Sequence, residues 1–421
     1  MSKIKRSCSS DLENNPPKDS RVNHIKNLRC RDLITDLNIN ETKLNLASEN
    51  LHVSRLTPAM FTAILNSGQH LKYLQFESVS DDFCDAFPLE PDNYFKDHNL
   101  IVKLIELKIL ICPHNIKESV LSILLAHCPS LETLVICFAP EGHANRGITG
   151  KCFQYLGNNI KHLIFGNLNI NQTTIHNLLN SNGRSVQEIE ILFPIVDQTF
   201  ARVFELTNLR KLTFKACKTD FMQIRNLSKL TNLESLQVER LDFCNDTLED
   251  LFTPVFENCN KLKEFKVSGV FKWYSNELLE IIAKNNLKLT HLHIYPNMFK
   301  KRLNPINKIE ISKSIGALTS MVNIQSLALP YSDLDDQHLQ SLLLNCPSLT
   351  TIDLSYCKKI TSTECIISAA EKNPDRNYQM YLFETKIQSI PVLPGNLKLC
   401  ICDLRQFDLL PLIIQSFYDL I

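Results

Sequence analysis

One six-residue pattern recurs along this chain and constrains its fold more than any other feature. An apolar residue is followed by two variable residues, an apolar residue, one variable residue and a final apolar residue. The pattern begins at Leu71, Leu104, Leu131, Ile160, Val186, Leu209, Leu233, Leu262, Leu289, Ile324 and Leu349. Successive starts are separated by 23 to 35 residues, about 28 on average. This period predicts a solenoid, in which each repeat buries its apolar side mainly against its neighbours.

Within each repeat the periodicity changes from that of a strand to that of a helix. In the repeat that begins at Leu131, the apolar Leu134 and Ile136 are separated by one residue, as on one face of a short strand. Apolar residues at helical spacing then predict a helix that returns the chain to the next strand. Such helices are predicted over 115–127, 173–180, 246–257 and 276–284, and around Leu339, Leu342 and Leu343.

A helix after every strand makes the successive strands parallel, and neither element can bury its apolar side alone. We therefore predict an α/β fold, a leucine-rich-repeat solenoid or horseshoe. Its parallel β-sheet is expected on the concave face and its helices on the convex face, because helices are wider than strands.

The chain is predicted to contain one folded domain behind a polar leader. Residues 1–30 are poor in apolar side chains and are predicted to be disordered. Residues 31–421 are predicted to form one leucine-rich-repeat domain of about 12 repeats, the first of which begins near Leu44 and Leu46.

Two of the intervals are longer than the others and predict insertions near 77–99 and 296–315. Insertions in a solenoid emerge as loops, and loops carry function more often than the scaffold does. Each insertion is therefore either a binding loop or an ordinary solvated loop.

Charge and hydropathy exclude several classes of function. The chain has 45 Lys and Arg against 45 Asp and Glu, so no long-range field attracts the phosphates of nucleic acid. No stretch approaches the length of about 18 apolar residues that a membrane span requires. The sequence predicts a soluble cytoplasmic protein, with the nucleus as the alternative compartment, and neither a nucleic-acid nor a membrane partner. The 15 cysteines are expected to be reduced and mostly buried, since no secretion signal precedes them.

The positions of the cysteines are more informative than their number. Cysteines occur three residues before a repeat begins, at Cys128, Cys259 and Cys346, and three residues after its last apolar residue, at Cys217 and Cys357. A small side chain with a weak thiol donor suits such a tight interior turn. This arrangement, most complete over 339–361, resembles the cysteine-containing leucine-rich repeats of F-box/leucine-rich-repeat proteins.

That resemblance implies a substrate receptor of a Skp1–cullin–F-box (SCF) ubiquitin ligase, in which the repeats hold the substrate and the F-box binds Skp1. An F-box would precede the repeats as three helices, with a Leu-Pro-like start and a Cys-Trp or Arg-Trp pair near its end. No recognisable F-box is found. The segment 55–61 is only weakly similar to the start of one, and the single tryptophan is Trp273.

Partners of such a solenoid are expected at the middle, exposed residue of each strand. These residues are Gln75, Lys108, Val135, Ile164, Glu190, Thr213, Gln237, Lys266, His293, Ala328 and Asp353. Their mixed character suits recognition of a protein and provides no convergent pocket for a cofactor. An ordinary solvated sheet face is the alternative.

One surface is singled out by its residue types, because aromatic and arginine side chains contribute strongly to protein interfaces. It comprises His291, His293, Tyr295, Phe299, Lys300, Lys301 and Arg302. The two histidines lie on one face of a strand and are expected to be exposed. They lack a third ligand at comparable spacing, so no metal site is predicted.

No enzyme signature is present, since the sequence contains neither a phosphate-binding glycine loop, nor a Gly-x-Ser-x-Gly turn, nor paired Cys-x-x-Cys motifs. We therefore predict a non-catalytic protein without a cofactor, whose function is protein recognition, with substrate recognition for an SCF ligase as the specific form. Regulation of a small GTPase, for which Asn323 could be placed at an edge of the arc, and structural scaffolding are the alternatives.

Overall fold

In the computed structural model, 14 strands within the described part of the chain form one parallel sheet, and their order across the sheet is their order in sequence. Strands β1 to β14 span Asn50–Val53, Tyr73–Phe76, Ile109–Cys112, Thr133–Ile136, His162–Phe165, Glu188–Pro194, Lys211–Lys215, Ser235–Glu239, Glu264–Val270, His291–Pro296, Ser326–Ala328, Thr351–Asp353, Tyr378–Tyr381 and Leu397–Cys400. The structure describes residues 48–80, 104–137, 148–166, 176–178, 185–194, 203–215, 221–239, 247–270, 276–296, 311–387 and 391–401. All of them belong to one unit, Leu46–Ile421.

Helices connect many of these strands. Helices α1 to α7 span Pro58–Ser67, Glu118–His127, Leu248–Asn258, Asn276–Asn285, Ile315–Ser320, Asp336–Asn345 and Glu364–Lys372, and 3₁₀ helices span Lys151–Tyr155, Phe221–Lys229 and Ser312–Ser314. The helices predicted over 115–127, 246–257 and 276–284 and around Leu339 are confirmed as α2, α3, α4 and α6. Of the helix predicted over 173–180 the structure describes only 176–178, which are helical.

Local sequence explains where helices begin. The Thr247 hydroxyl accepts a hydrogen bond from the Asp250 backbone N–H, and the Asp250 carboxylate accepts one from the Thr247 backbone N–H. This capping box provides partners for backbone donors at the start of α3 that lack an intrahelical acceptor. Helix α6 begins in the same way, since the Asp335 carboxylate accepts from the His338 backbone N–H at 3.0 Å.

One apolar residue from each of the first 13 strands lies in register in the interior. This row contains Leu51, Leu74, Leu110, Leu134, Leu163, Ile189, Leu212, Leu236, Phe265, Leu292, Leu327, Ile352 and Met380, each at most 4% exposed. Helix α3 covers this face of the sheet, since the rings of Phe252 and Phe256 lie 5.0 and 4.8 Å from the Phe265 ring. The sheet therefore buries one face under helices, as the sequence predicts for an α/β solenoid-like arrangement.

The cysteines before each repeat end helices. Cys128, Cys259 and Cys346 are the C-cap residues of α2, α3 and α6, and all three are buried. The Cys259 Sγ lies 3.4 Å from the backbone oxygen of Leu230 in the preceding repeat, and burial raises the pKa of Cys259 to about 12. Of the nine cysteines in the described residues, six are buried, which confirms their predicted burial there.

One repeat begins three residues later than predicted. Leu110, rather than Leu107, lies in register with the second apolar residue of the flanking strands, so the repeat begins at Leu107 and not at Leu104. Its third apolar position is filled by Cys112, which is fully buried. The pattern can also be read from Leu104, because Leu107 and Ile109 lie at the required spacing from it. Both starting points, three residues apart, therefore satisfy the pattern.

Three strands, β1, β13 and β14, extend the sheet beyond the 11 occurrences of the pattern. Several predictions lie outside the described residues. They concern the leader 1–30, Leu44 and Leu46, Cys217, and the insertions near 77–99 and 296–315 except for residues 77–80, 296 and 311–315.

Candidate functional site

The second face of the sheet is formed by the side chains that alternate with the buried row. Its middle row contains His52, Gln75, Ile111, Val135, Ile164, Glu190, Thr213, Gln237, Lys266, His293, Ala328, Asp353, Tyr381 and Cys400. Ile111 takes the place predicted for Lys108, which follows from the three-residue shift at β3. The middle row therefore gains an apolar residue in place of a cation.

Full exposure of the middle row is a wrong prediction at five positions. Gln75, Thr213, His293, Ala328 and Asp353 are all less than 9% exposed. Strands in a sheet are only about 4.8 Å apart, so the side chains of both flanking strands cover those between them. The burial of Gln75 is compensated by a local hydrogen bond, in which its Oε1 accepts from the Tyr73 hydroxyl at 2.5 Å.

An apolar cluster occupies the second face at β3 to β5. It comprises Ile109, Ile111, Val135 and Ile164. Ile111, Val135 and Ile164 are direct lateral neighbours in register on three successive strands. Ile111 is 4% exposed, whereas Ile109, Val135 and Ile164 remain partly exposed. The sequence pattern identified Val135 and Ile164 but missed the two isoleucines of β3. They could have been assigned to this face only if Cys112 had been recognised as an apolar position of the repeat.

Pairs of charged side chains follow the apolar cluster on β6, β7 and β9. The Lys211 ammonium donates to Glu190 Oε1 at 2.7 Å. Glu264 accepts from the Ser235 hydroxyl at 2.6 Å and lies 2.5 Å from the Lys266 ammonium. Burial alone would raise the pKa of Glu264, but Lys266 and these hydrogen bonds lower it to about 2. The Lys211–Glu190 and Lys266–Glu264 pairs are each neutral overall.

The structure brings His291, His293 and Tyr295 together on the second face of β10. The His293 ring lies 6.2 Å from the His291 ring and 6.1 Å from the Tyr295 ring. His293 is only 2% exposed, and its Nε2 lies 2.7 Å from the Ser326 hydroxyl on β11. Burial, with a smaller contribution from Lys266, lowers the pKa of His293 to about 3. Its imidazole is therefore neutral near pH 7, and the predicted exposure of His293 is wrong.

His291 is partly exposed, and its Nδ1 lies 2.9 Å from the Thr290 hydroxyl. Burial lowers the pKa of His291 as well. Phe299, Lys300, Lys301 and Arg302 lie outside the described residues, so a surface that joins them to β10 stays a prediction. Within the described residues, no group of three or more His, Cys, Asp or Glu side chains is arranged to hold a metal ion.

Asp353 is the second buried ionisable group of the middle row. It is 4% exposed, and its Oδ1 accepts from the Ser355 hydroxyl at 2.7 Å and from the Ser355 backbone N–H at 3.0 Å. Burial raises the pKa of Asp353, and the two hydrogen bonds from Ser355 oppose this effect only in part, so the pKa is about 6. With a single serine as partner, this carboxylate fixes a turn after β12 rather than presenting a charge to solvent.

No protein-family model matches this chain, and a search of the curated proteins finds no match. Function is therefore inferred from the residues and their geometry. Of the described helices, none combines the length and the apolar character needed to cross a membrane.

Proposed function

We propose that the described unit is a leucine-rich-repeat horseshoe, with the second face of the sheet on its concave side. Three features support this fold: the sequential order of 14 parallel strands, the apolar row in register, and cysteines that end helices directly before the next strand. Each strand pairs only with its neighbours in sequence, as in a stack of repeats.

We further propose that this protein is a non-catalytic recognition module whose second face binds another protein. The observation that carries this proposal is the apolar cluster, whose four aliphatic side chains lie on the face opposite the buried apolar row, three of them in register on successive strands. All of them except Ile111 remain partly exposed. Contiguous apolar surface on a folded protein is typical of interaction sites. The neighbouring paired charges would form the polar rim that such interfaces carry.

The partner class that fits best is a substrate of an SCF ubiquitin ligase. This part of the proposal rests on the cysteine-containing repeats over 339–361, whose resemblance to F-box/leucine-rich-repeat receptors is the most specific motif of the chain. Binding to Skp1 and cullin would require an F-box, for which the sequence has no recognisable match.

The test is affinity capture with mass spectrometry, with the wild-type chain compared with a Val135→Asp/Ile164→Asp double variant. Two carboxylates in the apolar cluster would have to be desolvated on binding, so we expect partner recovery to fall by more than tenfold, about 1.4 kcal/mol or more. Gln237→Asp, on the same row at β8, is the matched control and should keep the partner. Thermal unfolding of each variant checks that the fold is intact.

The captured proteins decide between the functions. Recovery of Skp1 and cullin together with the partner supports the ligase role. Stimulated nucleotide hydrolysis by a captured GTPase, or a stoichiometric assembly without any of these proteins, would replace it with the regulator or the scaffold. Equal recovery by the wild-type chain and the double variant would contradict binding through the apolar cluster.

A further inference from the structure

A row of mostly charged residues crosses the first part of the sheet, one residue before each of the strands β1 to β9 begins, and we call it the edge row. Its members are Glu49, Lys72, Lys108, Glu132, Lys161, Gln187, Arg210, Glu234 and Lys263. Each member donates its backbone N–H to the carbonyl oxygen of the preceding member, at 2.7 to 3.0 Å. Successive members therefore stand side by side, about 4.8 Å apart, and their side chains can pair.

In the first half of the edge row, one carboxylate forms ion pairs with two cations. Glu132 lies 3.0 Å from the Lys161 ammonium and 3.5 Å from the Lys108 ammonium. The pKa of Glu132 is lowered, chiefly by the hydrogen bond from Lys161, so the group is ionised near pH 7. These three residues together carry one positive charge in excess.

The second half repeats this arrangement. Glu234 lies 2.6 Å from the Lys263 ammonium, while the closest nitrogen of Arg210 is 3.8 Å away. Lys263 thus has the shorter contact with Glu234, and the Arg210 side chain is 61% exposed. This group of three also carries one positive charge in excess.

Gln187 stands between the two groups, where an alternating row would place a carboxylate. Its neighbours in the edge row are Lys161 and Arg210, whose own carboxylates lie on their far sides. The two cations flank a neutral amide across a gap of about two strand spacings, or 10 Å. The edge row therefore lacks a negative charge at Gln187.

The gap opens into a trough of about 500 Å³. A second row, two residues before the edge row, lines it with Asn159, Ser185, Asn208, Asn232 and Lys261. Side chains of Asn159, Ser185 and Asn232 each donate to a backbone oxygen of the preceding repeat, at 2.8 to 3.0 Å. Three of these five side chains are thus fixed before any ligand binds, which reduces the entropic cost of binding.

Positive charge exceeds negative charge in the trough. The cations that line it are Lys161, Arg210 and Lys261, against the single carboxylate of Glu234. Lys261 is exposed, and its ammonium donates to the neutral amide oxygen of Asn232 at 2.6 Å. An anion seated beside Gln187 would face two cations and would complete the alternation of charge along the edge row.

We propose that this trough binds an acidic side chain of a protein partner, either a carboxylate or a phosphorylated residue. The inference rests on the proposed recognition function and adds a second contact point, at the edge of the sheet rather than on its second face. A polar floor held by hydrogen bonds, with a cation on either side of Gln187, suits a small anionic group, for which Arg and Lys are the usual ligands in proteins.

Direct binding to the full chain tests this site without the partner. The probes are two fluorescein-labelled peptides of equal length, one carrying three glutamates and one carrying three phosphoserines, measured by fluorescence anisotropy at low and physiological salt. We expect binding that weakens as salt rises. Binding of either peptide supports the site, and the tighter peptide identifies carboxylate or phosphate as its ligand.

The decisive variant is Gln187→Glu, which places the missing carboxylate in the gap. It should weaken peptide binding by about tenfold at low salt, because the new carboxylate competes for the same cations. It should not lower the thermal unfolding temperature, since it completes the charge alternation. Arg210→Gln should weaken binding similarly. Lys72→Gln is the matched control, because Lys72 in the same row has its own carboxylate, Glu49, at 2.7 Å.

Three outcomes would overturn the proposal. They are absence of binding by both peptides at millimolar concentration, equal binding to the wild-type chain and the Gln187→Glu variant, and tighter binding of a control oligonucleotide than of either peptide. Partner capture through the apolar cluster is a separate measurement with separate variants. Failure at the trough and failure of the proposed function can therefore be told apart.

Discussion

Buried ionisable groups on the second face show how strongly single residues respond to the spacing of the strands. Asp353 and His293 both occupy the middle row, and both have shifted pKa values because flanking strands remove them from water. The shifts have opposite directions, since burial disfavours the charged form of each group. Neither residue therefore acts as an exposed charge near a partner, although the sequence pattern places both at an exposed position.

Replacing Asp353 with Asn should stabilise the protein at alkaline pH. Burial raises the pKa of Asp353 from 3.8 to about 6 in the folded state, so folding is favoured when the group is protonated. That stability is fully present below pH 3.8 and is lost as pH rises through 6. We expect Asp353→Asn to be more stable than the wild type by about 1–3 kcal/mol at pH 8, and by much less at pH 4.

Urea unfolding of both proteins at the two pH values measures this difference. Asp375→Asn is the control, because it makes the same replacement at an exposed position and should give no comparable gain in stability at pH 8. If the variant is equally or less stable than the wild type at pH 8, the hydrogen bonds of the Asp353 carboxylate stabilise the fold at least as much as its burial destabilises it.

At the scale of elements, the observed register of β3 differs from the one predicted from the sequence in which residues of the strand are buried. In the observed register Leu110 is buried in the apolar row, whereas Ile109 belongs to the second face. Leu110→Ala should therefore destabilise the fold by about 2–5 kcal/mol, and Ile109→Ala by about 1 kcal/mol or less. Equilibrium urea unfolding compares the two variants. A larger loss for Ile109→Ala would favour the register that begins at Leu104.

Most of the elements could be predicted because strand and helix periodicities are distinct in this chain. The strands whose three repeat positions are aliphatic or aromatic were placed correctly, as at Leu131 and Leu233. The error at β3 has a chemical cause, since Cys112 fills a position that the pattern reserved for larger apolar residues. Strands β13 and β14 were absent from the pattern because their first repeat positions hold Asn377 and Asn396.

Much less of the candidate site could be predicted. Alternation along a strand identifies which residues share a face, but not how far the neighbouring strands bury them, so exposure was misjudged at Gln75 and His293. The trough depends on which side chains stand side by side across strands some 25 residues apart. That lateral register becomes visible only when every repeat boundary is known, and a single error such as that at β3 breaks the row.

At the scale of the whole described unit, strands pair only with their sequence neighbours, so stability should be distributed locally. In such a stack, each repeat is stabilised by its own packing and by two interfaces. Among the described strands, none pairs with a strand that is not its neighbour in sequence. A weakened repeat should therefore open without unfolding the strands at the far end of the sheet.

Phe265 in β9 provides the test of this local behaviour, because its ring packs between two rings of α3, those of Phe252 and Phe256. Phe265→Ala should remove about 3–5 kcal/mol of packing at this repeat. In hydrogen exchange with mass spectrometry, we expect faster exchange in β8 to β10 and almost unchanged exchange in β1 and β2. Leu74→Ala in β2 is the mirrored control and should leave β8 to β10 protected. Equal acceleration along the whole sheet in both variants would mean that the repeats unfold as one cooperative unit, which would contradict the nearest-neighbour stabilisation expected of the proposed solenoid.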